Sequence, residues 1–238
     1  MIVLRSIVFN IAFYLWVALV FLLALPLLLL PRRYIMWFPT VACGGALWLL
    51  RVCAGVTHEI RGLENYPKGP VLIASKHQSA WDTIIYQYLW SDVAFVLKRE
   101  LTYLPIYGQF IKKFGMIPID RKSSAQTVRK LVVEGKRVLD ERRKIIIFPE
   151  GRRTPPGQSQ KYQRGIVMLY EHLNVPVVPV ALNSGVFWPR RTFLKRPGTI
   201  VLEFLPKIGP GLTRDDFMKE LTNSIETASN QLINSFNH

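Results

Sequence analysis

The sequence predicts an α/β protein, in which a mixed central sheet flanked by helices is preceded by an N-terminal hydrophobic helical hairpin. Two observations carry this prediction. The first 54 residues are dominated by two charge-free apolar runs, whereas from His58 onward short apolar runs alternate with amphipathic stretches. A chain of 238 residues can bury the core of one α/β domain and still leave residues for a hairpin.

The hairpin is predicted from two runs, Ser6–Leu30 with 25 uncharged residues and Tyr34–Leu50 with 17. The first is long enough to span a hydrocarbon core of about 30 Å, and the second is at the lower limit. We therefore predict a membrane-anchoring hairpin over residues 1–54 and an α/β domain over residues 55–238. A cleaved signal peptide is disfavoured because the apolar core is too long and no small-residue cleavage site follows it closely.

Arginines flank the first apolar run on both sides, so the positive-inside rule does not orient the hairpin. A spanning pair of helices and a monotopic hairpin lying in one leaflet are equally compatible with the sequence. Both cysteines, Cys43 and Cys53, lie in this apolar part, and neither metal-binding spacing nor a disulfide framework is present.

The chain is strongly basic, with a formal net charge of +15, and the first 57 residues contain no acidic residue. Such a balance favours phosphorylated substrates, anionic lipid or nucleic acid as partners. Nucleic acid is disfavoured, because the chain opens with membrane-type sequence and contains no recognition motif for DNA or RNA.

Seven strands and two long helices are predicted after the hairpin. One helix follows Ser123-Ser124, and the other follows the capping pattern Thr213–Asp216, with an apolar stripe of Phe217, Leu221, Ile225 and Leu232. The predicted strands are His58–Leu63, Val71–Ser75, Val93–Leu97, Met116–Ile119, Lys144–Phe148, Val175–Leu182 and Thr199–Phe204.

The most informative stretch is the polar turn after the strand Val71–Ser75, which contains His77 and, five positions on, Asp82. Residues five apart on one helix are turned about 140° from each other, so this pair can meet only if His77 lies in the loop and Asp82 in the first helical turn. A carboxylate on one ring nitrogen fixes the imidazole tautomer and leaves the other nitrogen as a base. The alternative is a helix-capping aspartate beside an unrelated histidine.

Three further polar breaks interrupt buried strands. Gly115–Arg121 ends in an acid and an arginine that is suited to grip a phosphate. Phe148-Pro149-Glu150-Gly151-Arg152-Arg153 combines charge with a glycine that lets backbone N–H groups approach a ligand. Val175–Val180 contains two prolines, which confine a strand to an edge or to a bulge.

In this order, these four blocks resemble those of the glycerolipid acyltransferases, and in particular the bacterial 1-acylglycerol-3-phosphate (lysophosphatidic acid) acyltransferases. The resemblance covers about 105 residues and is specific at the superfamily level, and an apolar hairpin before the first block also fits it. Two positions depart from the family's pattern: Lys76 stands where the family often has Asn, and Arg152 where it often has Thr. Both changes add charge beside the site.

The resemblance implies a role for each matching residue. His77 is the general base and Asp82 its orienting carboxylate, Arg121 contacts the phosphate of the acyl acceptor, and Glu150, Gly151 and Arg153 belong to the acceptor site. Gly115 and Lys98 are further substrate-binding candidates. Other basic residues near the expected cleft, Arg99, Lys161 and Arg164, are either part of it or solvated surface.

The implied reaction moves a fatty acyl group from acyl-CoA or acyl carrier protein to the free hydroxyl of lysophosphatidic acid, giving phosphatidic acid for phospholipid synthesis. It needs no metal and no cofactor besides the acyl co-substrate. The implied location is the bacterial inner membrane, with the catalytic domain on the cytoplasmic side.

Three alternatives stay open from the sequence. The acceptor can be another molecule, such as glycerol-3-phosphate, another lysophospholipid or a lyso-aminolipid. A non-catalytic protein that binds anionic lipid explains the charge and the hairpin but leaves His77 and Asp82 without a use. A membrane-anchored hydrolase is disfavoured, since no Gly-x-Ser-x-Gly motif is present.

Overall fold

The computed structural model describes residues 1–120 and 125–235. It contains one seven-stranded mixed sheet with the strand order β1-β7-β6-β2-β5-β3-β4. Neighbouring strands run parallel except β6 and β7, which are antiparallel. The strands are β1 Val56–Arg61, β2 Leu72–Ser75, β3 Val93–Lys98, β4 Ile117–Ile119, β5 Lys144–Ile147, β6 Val177–Leu182 and β7 Gly198–Phe204. All seven predicted strands are therefore present, and the predicted fold class is confirmed.

Helices cover both faces of the sheet. They are α1 Ile2–Ala24, α2 Trp37–Leu49, α3 Trp81–Leu89, α4 Tyr107–Lys113, α5 Ala125–Asp140, α6 Arg164–Leu173, α7 Ser184–Phe187 and α8 Arg214–Asn234. Successive side chains of a strand point to opposite faces, so Ile73 packs in one core with α1, α2 and α3, while Leu72 and Ala74 pack in a second core with α5, α6 and α8.

Helix ends follow local sequence. Pro26 has no N–H to continue the α-helical hydrogen bonds, so α1 ends at Ala24 and passes through a helical Leu25 into the 3-10 turn Pro26–Leu29. At the start of α8, the Thr213 hydroxyl accepts the Asp216 N–H at 3.2 Å, as the capping pattern predicts. The four residues of the predicted α8 stripe are all buried.

The hairpin lies along the α/β part of the chain. Phe9 of α1 and Leu47 of α2 belong to the same buried core as Ile73. At the open end of the hairpin, where α1 begins and α2 ends, Arg5 Nε donates to the carbonyl of Cys53 at 3.3 Å. At the closed end, the connection between α1 and α2, the carbonyl of Leu28 accepts a hydrogen bond from Lys113 Nζ of α4 at 3.0 Å.

Both hairpin segments, Ile2–Leu29 and Arg32–Ala54, are long and apolar enough to cross a membrane, judged by length and composition. Many large apolar side chains of α1 are exposed on the protein surface, among them Leu4, Ile11, Leu15, Leu22 and Leu23. The division of the chain after residue 54 stays a prediction. A π-helical turn, Leu50–Ala54, continues α2 and ends just before the left-handed Gly55.

The strand with two prolines, β6, is interior, between β7 and β2. Its pairing with the chain that follows β7 shifts from Val180 opposite Phe204 to Val177 opposite Ile208. Three steps on β6 thus face four on its partner, which is a β-bulge. Pro179 lies within this stretch and accepts the Leu205 N–H at 3.0 Å. The proline is therefore at a bulge, which was one of the two predicted positions.

Candidate active site

The candidate site forms where three parallel strands end side by side. Ala74 of β2 pairs with Ile147 of β5 and with Pro179 of β6. Because parallel strands share one carboxyl edge, the loops that follow them converge there. These loops carry His77 after β2, Glu150 to Arg153 after β5, and Ser184 after β6.

The structure brings His77 and Asp82 together. Nδ1 of His77 lies 2.8 Å from Oδ2 of Asp82, with His77 in the loop and Asp82 in the first turn of α3. An ionised carboxylate only accepts hydrogen bonds, so Nδ1 carries the ring proton and Nε2 presents a lone pair. Nε2 makes no hydrogen bond to any residue in the ranges 1–120 and 125–235, and the imidazole is 12% exposed.

Asp82 also holds the loop that carries the histidine. Its Oδ2 accepts the backbone N–H groups of Gln78 at 2.7 Å and Ser79 at 2.8 Å. Its Oδ1 accepts the Ser184 hydroxyl at 2.5 Å. One fully buried carboxylate thus binds both the imidazole and the loop that carries it, so the alternative of a capping aspartate beside an unrelated histidine does not describe this pair.

Two contacts of this pair were missed by sequence reasoning. Ser184 follows the buried strand β6, and the only signal for it was a polar residue at a strand end. Phe148 stacks on the His77 imidazole, with 3.9 Å between ring centroids and 18° between the planes. Its position just before Pro149 and Glu150 gave no signal that distinguished it from a core residue.

Glu150 holds the backbone of the histidine loop from the protein interior. Its Oε2 accepts the His77 backbone N–H at 2.7 Å, and its Oε1 lies 2.8 Å from Lys76 Nζ. The glutamate is 2% exposed. Burial raises the pKa of Glu150, and the neighbouring Lys76 ammonium opposes that rise. These contacts hold the carboxylate within the protein, away from the exposed face of the imidazole.

Gly151 has a structural reason to be glycine. Its φ is +67°, a left-handed conformation that side chains disfavour. Its N–H donates to the carbonyl of Phe148 at 2.9 Å and closes the turn. This N–H is thus used within the turn, and the approach of the turn's backbone N–H groups to a ligand stays a prediction.

Arg153 supplies positive charge next to the pair. Its guanidinium is half-buried, and burial lowers its pKa, with the Asp82 carboxylate opposing this effect and the Arg190 guanidinium adding to it. It makes no hydrogen bond or ion pair to a side chain within the described ranges. Arg190, which donates to the Arg153 carbonyl at 3.3 Å, was not predicted from the sequence.

The other predicted residues lie elsewhere or cannot be placed. Gly115 closes the C-terminus of α4 in a left-handed conformation, before β4, where its carbonyl accepts from Arg143 at 3.2 Å. This amino end of β4 is opposite the edge that carries His77, so the structure does not bring Gly115 to the site. Lys98 is exposed at the carboxyl end of β3. Arg121 lies outside the described residues.

The two departures from the family pattern add less charge to the site than the sequence predicts. Lys76 is 1% exposed and is paired with two glutamates, so it does not face the imidazole. Arg152 donates from Nε to Gln160 at 2.6 Å and points to the surface. The positive charge that acts on the pair comes from Arg153, and the exposed Arg190 lies beside Arg153.

Chemically, the arrangement offers a histidine with one fixed tautomer, an unpaired Nε2 and two neighbouring guanidinium groups. It suits abstraction of a proton from a hydroxyl of an anionic molecule. Within the described ranges, no group of three or more His, Cys, Asp and Glu residues is placed to hold a metal ion.

Comparison with known proteins places this geometry in context. Residues 57–183, just over half of the chain, match the family model named Acyltransferase. A 1-acyl-sn-glycerol-3-phosphate acyltransferase from Pseudomonas aeruginosa is 41% identical over 170 residues, which are 71% of this chain and 65% of the relative. An enzyme of the same name from Limnanthes alba is 32% identical over 168 residues, which are 69% of this chain and 58% of the relative. The chain thus spans less than two thirds of the length of these relatives.

A solved structure shares the whole fold. The crystal structure of PlsC, the 1-acyl-sn-glycerophosphate (LPA) acyltransferase from Thermotoga maritima, superposes with a TM-score of 0.78 and covers 98% of both chains. The two sequences are 19% identical. This likeness confirms the fold, including the N-terminal hairpin, over essentially the full length.

Proposed function

The chain belongs to the acyltransferase family, and from this premise we propose that it transfers a fatty acyl group from a thioester to the free hydroxyl of lysophosphatidic acid. The product is phosphatidic acid, which places the reaction in phospholipid synthesis. The proposal draws on the family match over residues 57–183 and on the printed names of the relatives, which are 1-acyl-sn-glycerol-3-phosphate acyltransferases.

The observation that carries the mechanism is the 2.8 Å contact between His77 Nδ1 and Asp82 Oδ2. With Nδ1 protonated and held, Nε2 takes the proton of the acceptor hydroxyl as its oxygen attacks the thioester carbonyl. The resulting tetrahedral intermediate collapses and breaks the carbon–sulfur bond. The imidazolium returns the proton to the departing thiolate, which leaves as a thiol. Asp82 stabilises the transient positive charge on the ring.

The acceptor phosphate is assigned to the arginines beside the pair. Burial and the Arg190 guanidinium both lower the pKa of Arg153, and a phosphate bound by the two arginines would offset their mutual repulsion. Arg121 is proposed as a further phosphate contact on the grounds of the family pattern. Glu150 is proposed to hold the histidine loop, and Gly151 to shape the turn, so neither is proposed to contact the acceptor directly.

The donor is proposed to be acyl-CoA or acyl carrier protein, and no metal or further cofactor enters the proposed reaction. Exposed Lys98 lies at the same carboxyl edge as His77 and is a candidate contact for an anionic donor. We propose no substrate role for Gly115.

The hairpin is proposed to anchor the enzyme in one leaflet. Its closed end contacts the α/β part through Lys113 and Leu28 and through an Arg32–Asp92 ion pair. A hairpin that spanned the bilayer would carry this end to the opposite side, away from those partners. The proposed membrane is the bacterial inner membrane, with the α/β part on its cytoplasmic side.

The direct test is an assay of the purified full chain in lipid vesicles with lysophosphatidic acid and labelled acyl-CoA or acyl carrier protein, scored for labelled phosphatidic acid. We expect turnover with at least one donor and none with folded His77→Ala. A folded His77→Ala protein that keeps more than a few per cent of the rate would exclude His77 as the base. Binding of anionic vesicles without turnover would instead favour the non-catalytic alternative.

A further inference from the structure

The histidine loop is tied to the C-terminal helix by a buried ion cluster that the reaction itself does not use. Lys76 directly precedes His77, yet its side chain is 1% exposed and points into the protein. Its Nζ lies 2.8 Å from Glu150 and 2.8 Å from both carboxylate oxygens of Glu226, which belongs to α8. Its three hydrogen bonds go to the two oxygens of Glu226 and to the carbonyl of Gln158 at 3.1 Å, while Glu150 Oε1 is held as an ion pair.

Burial of an ammonium is costly unless it is paired and hydrogen-bonded, and here the two carboxylates come from distant parts of the chain. Glu150 follows β5, and Glu226 lies in the middle of α8. The phenol of Tyr162 donates to Glu226 Oε1 at 2.9 Å. Burial and the nearby carboxylates raise the pKa of Tyr162, so the phenol stays a donor at neutral pH.

The second oxygen of Glu150 connects this cluster to the site. It accepts the His77 backbone N–H at 2.7 Å, while the Thr154 N–H donates to the His77 carbonyl at 2.7 Å. Contacts therefore run without a gap from α8 through Glu226, Lys76 and Glu150 to the backbone of the residue that carries the imidazole.

We propose that Lys76 is a positioning residue, which fixes the His77 backbone through Glu150 and anchors that position to α8 through Glu226. This inference rests on the proposed function, because it assigns Lys76 to the geometry of the same reaction. Lys76 touches no reacting atom, because its ammonium is held by Glu150 and Glu226, whereas the His77 imidazole contacts Asp82 and Phe148.

Loss of the ammonium should affect the chemical step more than substrate binding. Without it, the Glu150 and Glu226 carboxylates lose the cation that they share, and the buried Glu150 must move or take up a proton. Either change releases the His77 backbone, and a displacement of about 1 Å at a catalytic group can cost on the order of 10²-fold in rate. The acceptor arginines are separate side chains, so the KM for lysophosphatidic acid should change little.

The experiment is a double-mutant cycle on the full chain in lipid vesicles, with Lys76→Met, Glu226→Gln and the double variant, and with phosphatidic acid formation as readout. We expect a kcat loss on the order of 10²-fold for Lys76→Met. For Glu226→Gln, which leaves the Lys76–Glu150 pair in place, we expect a loss of about fivefold. The double variant should resemble Lys76→Met, because Glu226 acts through Lys76.

The control is Glu220→Gln, which removes an exposed carboxylate from the same helix and should leave kcat and KM unchanged. All rates are divided by the folded fraction from circular dichroism. Wild-type kcat in folded Lys76→Met, or losses that multiply in the double variant, would overturn the proposal. If Lys76→Met does not fold, Glu226→Gln decides alone: a lower kcat at unchanged KM supports the proposal, and an unchanged kcat overturns it. Failure of the proposed function is a different result, namely no phosphatidic acid from the wild-type chain.

Discussion

The His77 imidazole lies flat on the phenyl ring of Phe148, with the ring centroids 3.9 Å apart. Phe148 in turn stacks on Phe95 of β3, at 6.2 Å between centroids. The imidazole is therefore the outer ring of a stack of three aromatic rings that begins in the sheet. Asp82 fixes the ring at Nδ1, and Phe148 fixes the plane in which it lies. Together these two contacts define the direction of the Nε2 lone pair.

The first prediction follows from this stack. Phe148→Leu keeps an apolar side chain but removes the aromatic face, a contact worth about 1 kcal/mol. We expect kcat to fall by about fivefold, with little change in either KM, because the imidazole gains freedom to tilt. The control is Phe193→Leu, which changes an exposed phenylalanine. Equal kcat for wild type and folded Phe148→Leu would show that the aromatic face of Phe148 is not needed to orient the imidazole.

The second prediction compares a change at Asp82 with a change at its partner Ser184. Asp82→Asn should lower kcat by about 10⁴-fold, since an amide no longer fixes the protonated Nδ1 or stabilises the imidazolium. Ser184→Ala removes one donor to Oδ1 and leaves the carboxylate on the histidine, so we expect a loss of about tenfold. Steady-state rates of both folded variants test this order. A larger loss in Ser184→Ala than in Asp82→Asn would contradict the orienting role of the carboxylate.

The sequence predicted the fold well because its signals were local. Each strand was an apolar run bounded by polar residues, and α8 had both a cap at Thr213 and a buried stripe. Pro179 was predicted at an edge or a bulge, and only the pairing of β6 with Ile208 could distinguish the two. The strand boundaries differ by at most two residues from those predicted, as expected where strands fray.

The site was predicted less completely, because several of its contacts join residues that are distant in sequence. His77 and Asp82 were found through their spacing, but Ser184 lies 102 residues from the aspartate that it contacts. Lys76 was expected to add charge to the site, and its compensation by Glu226 depends on the packing of α8, 150 residues away. No local pattern reports such pairs.

The third prediction concerns the acceptor phosphate. Arg153→Ala and Arg190→Ala should raise the KM for lysophosphatidic acid more than they lower kcat, because a group that binds ground state and transition state alike contributes to binding. Arg121→Ala should behave in the same way. The comparison acceptor is a neutral monoacylglycerol, on which these variants should match the wild type. An equal loss on both acceptors would show that these arginines do not bind the acceptor phosphate. The control is Arg191→Ala, which changes an exposed arginine.

The fourth prediction concerns the hairpin. Hydrophobic association is not screened by ions, whereas attraction between surface charges is. The protein should therefore stay with membranes in concentrated salt and in alkaline carbonate, and its extraction should need detergent. Sedimentation of washed membranes measures this directly. Quantitative release by salt or carbonate would mean that the exposed face of α1 is covered by protein.

The last prediction concerns the order of events. If Nε2 of His77 activates the acceptor directly, both substrates must be bound together, and the thioester should stay intact when the acceptor is missing. The hydroxyl nearest in sequence after His77 is that of Ser79, which is buried and accepts the Trp81 N–H at 3.1 Å at the start of α3. This contact holds the hydroxyl against the first residue of α3. A Ser79 hydroxyl in this position supports the α3 terminus and is not presented to a substrate, so sequential kinetics should follow.

The measurement is rapid mixing of the enzyme with acyl-CoA alone, with detection of free thiol and of an acyl adduct on the intact protein. A stoichiometric thiol burst or an adduct that disappears in Ser79→Ala would replace direct transfer with a covalent mechanism.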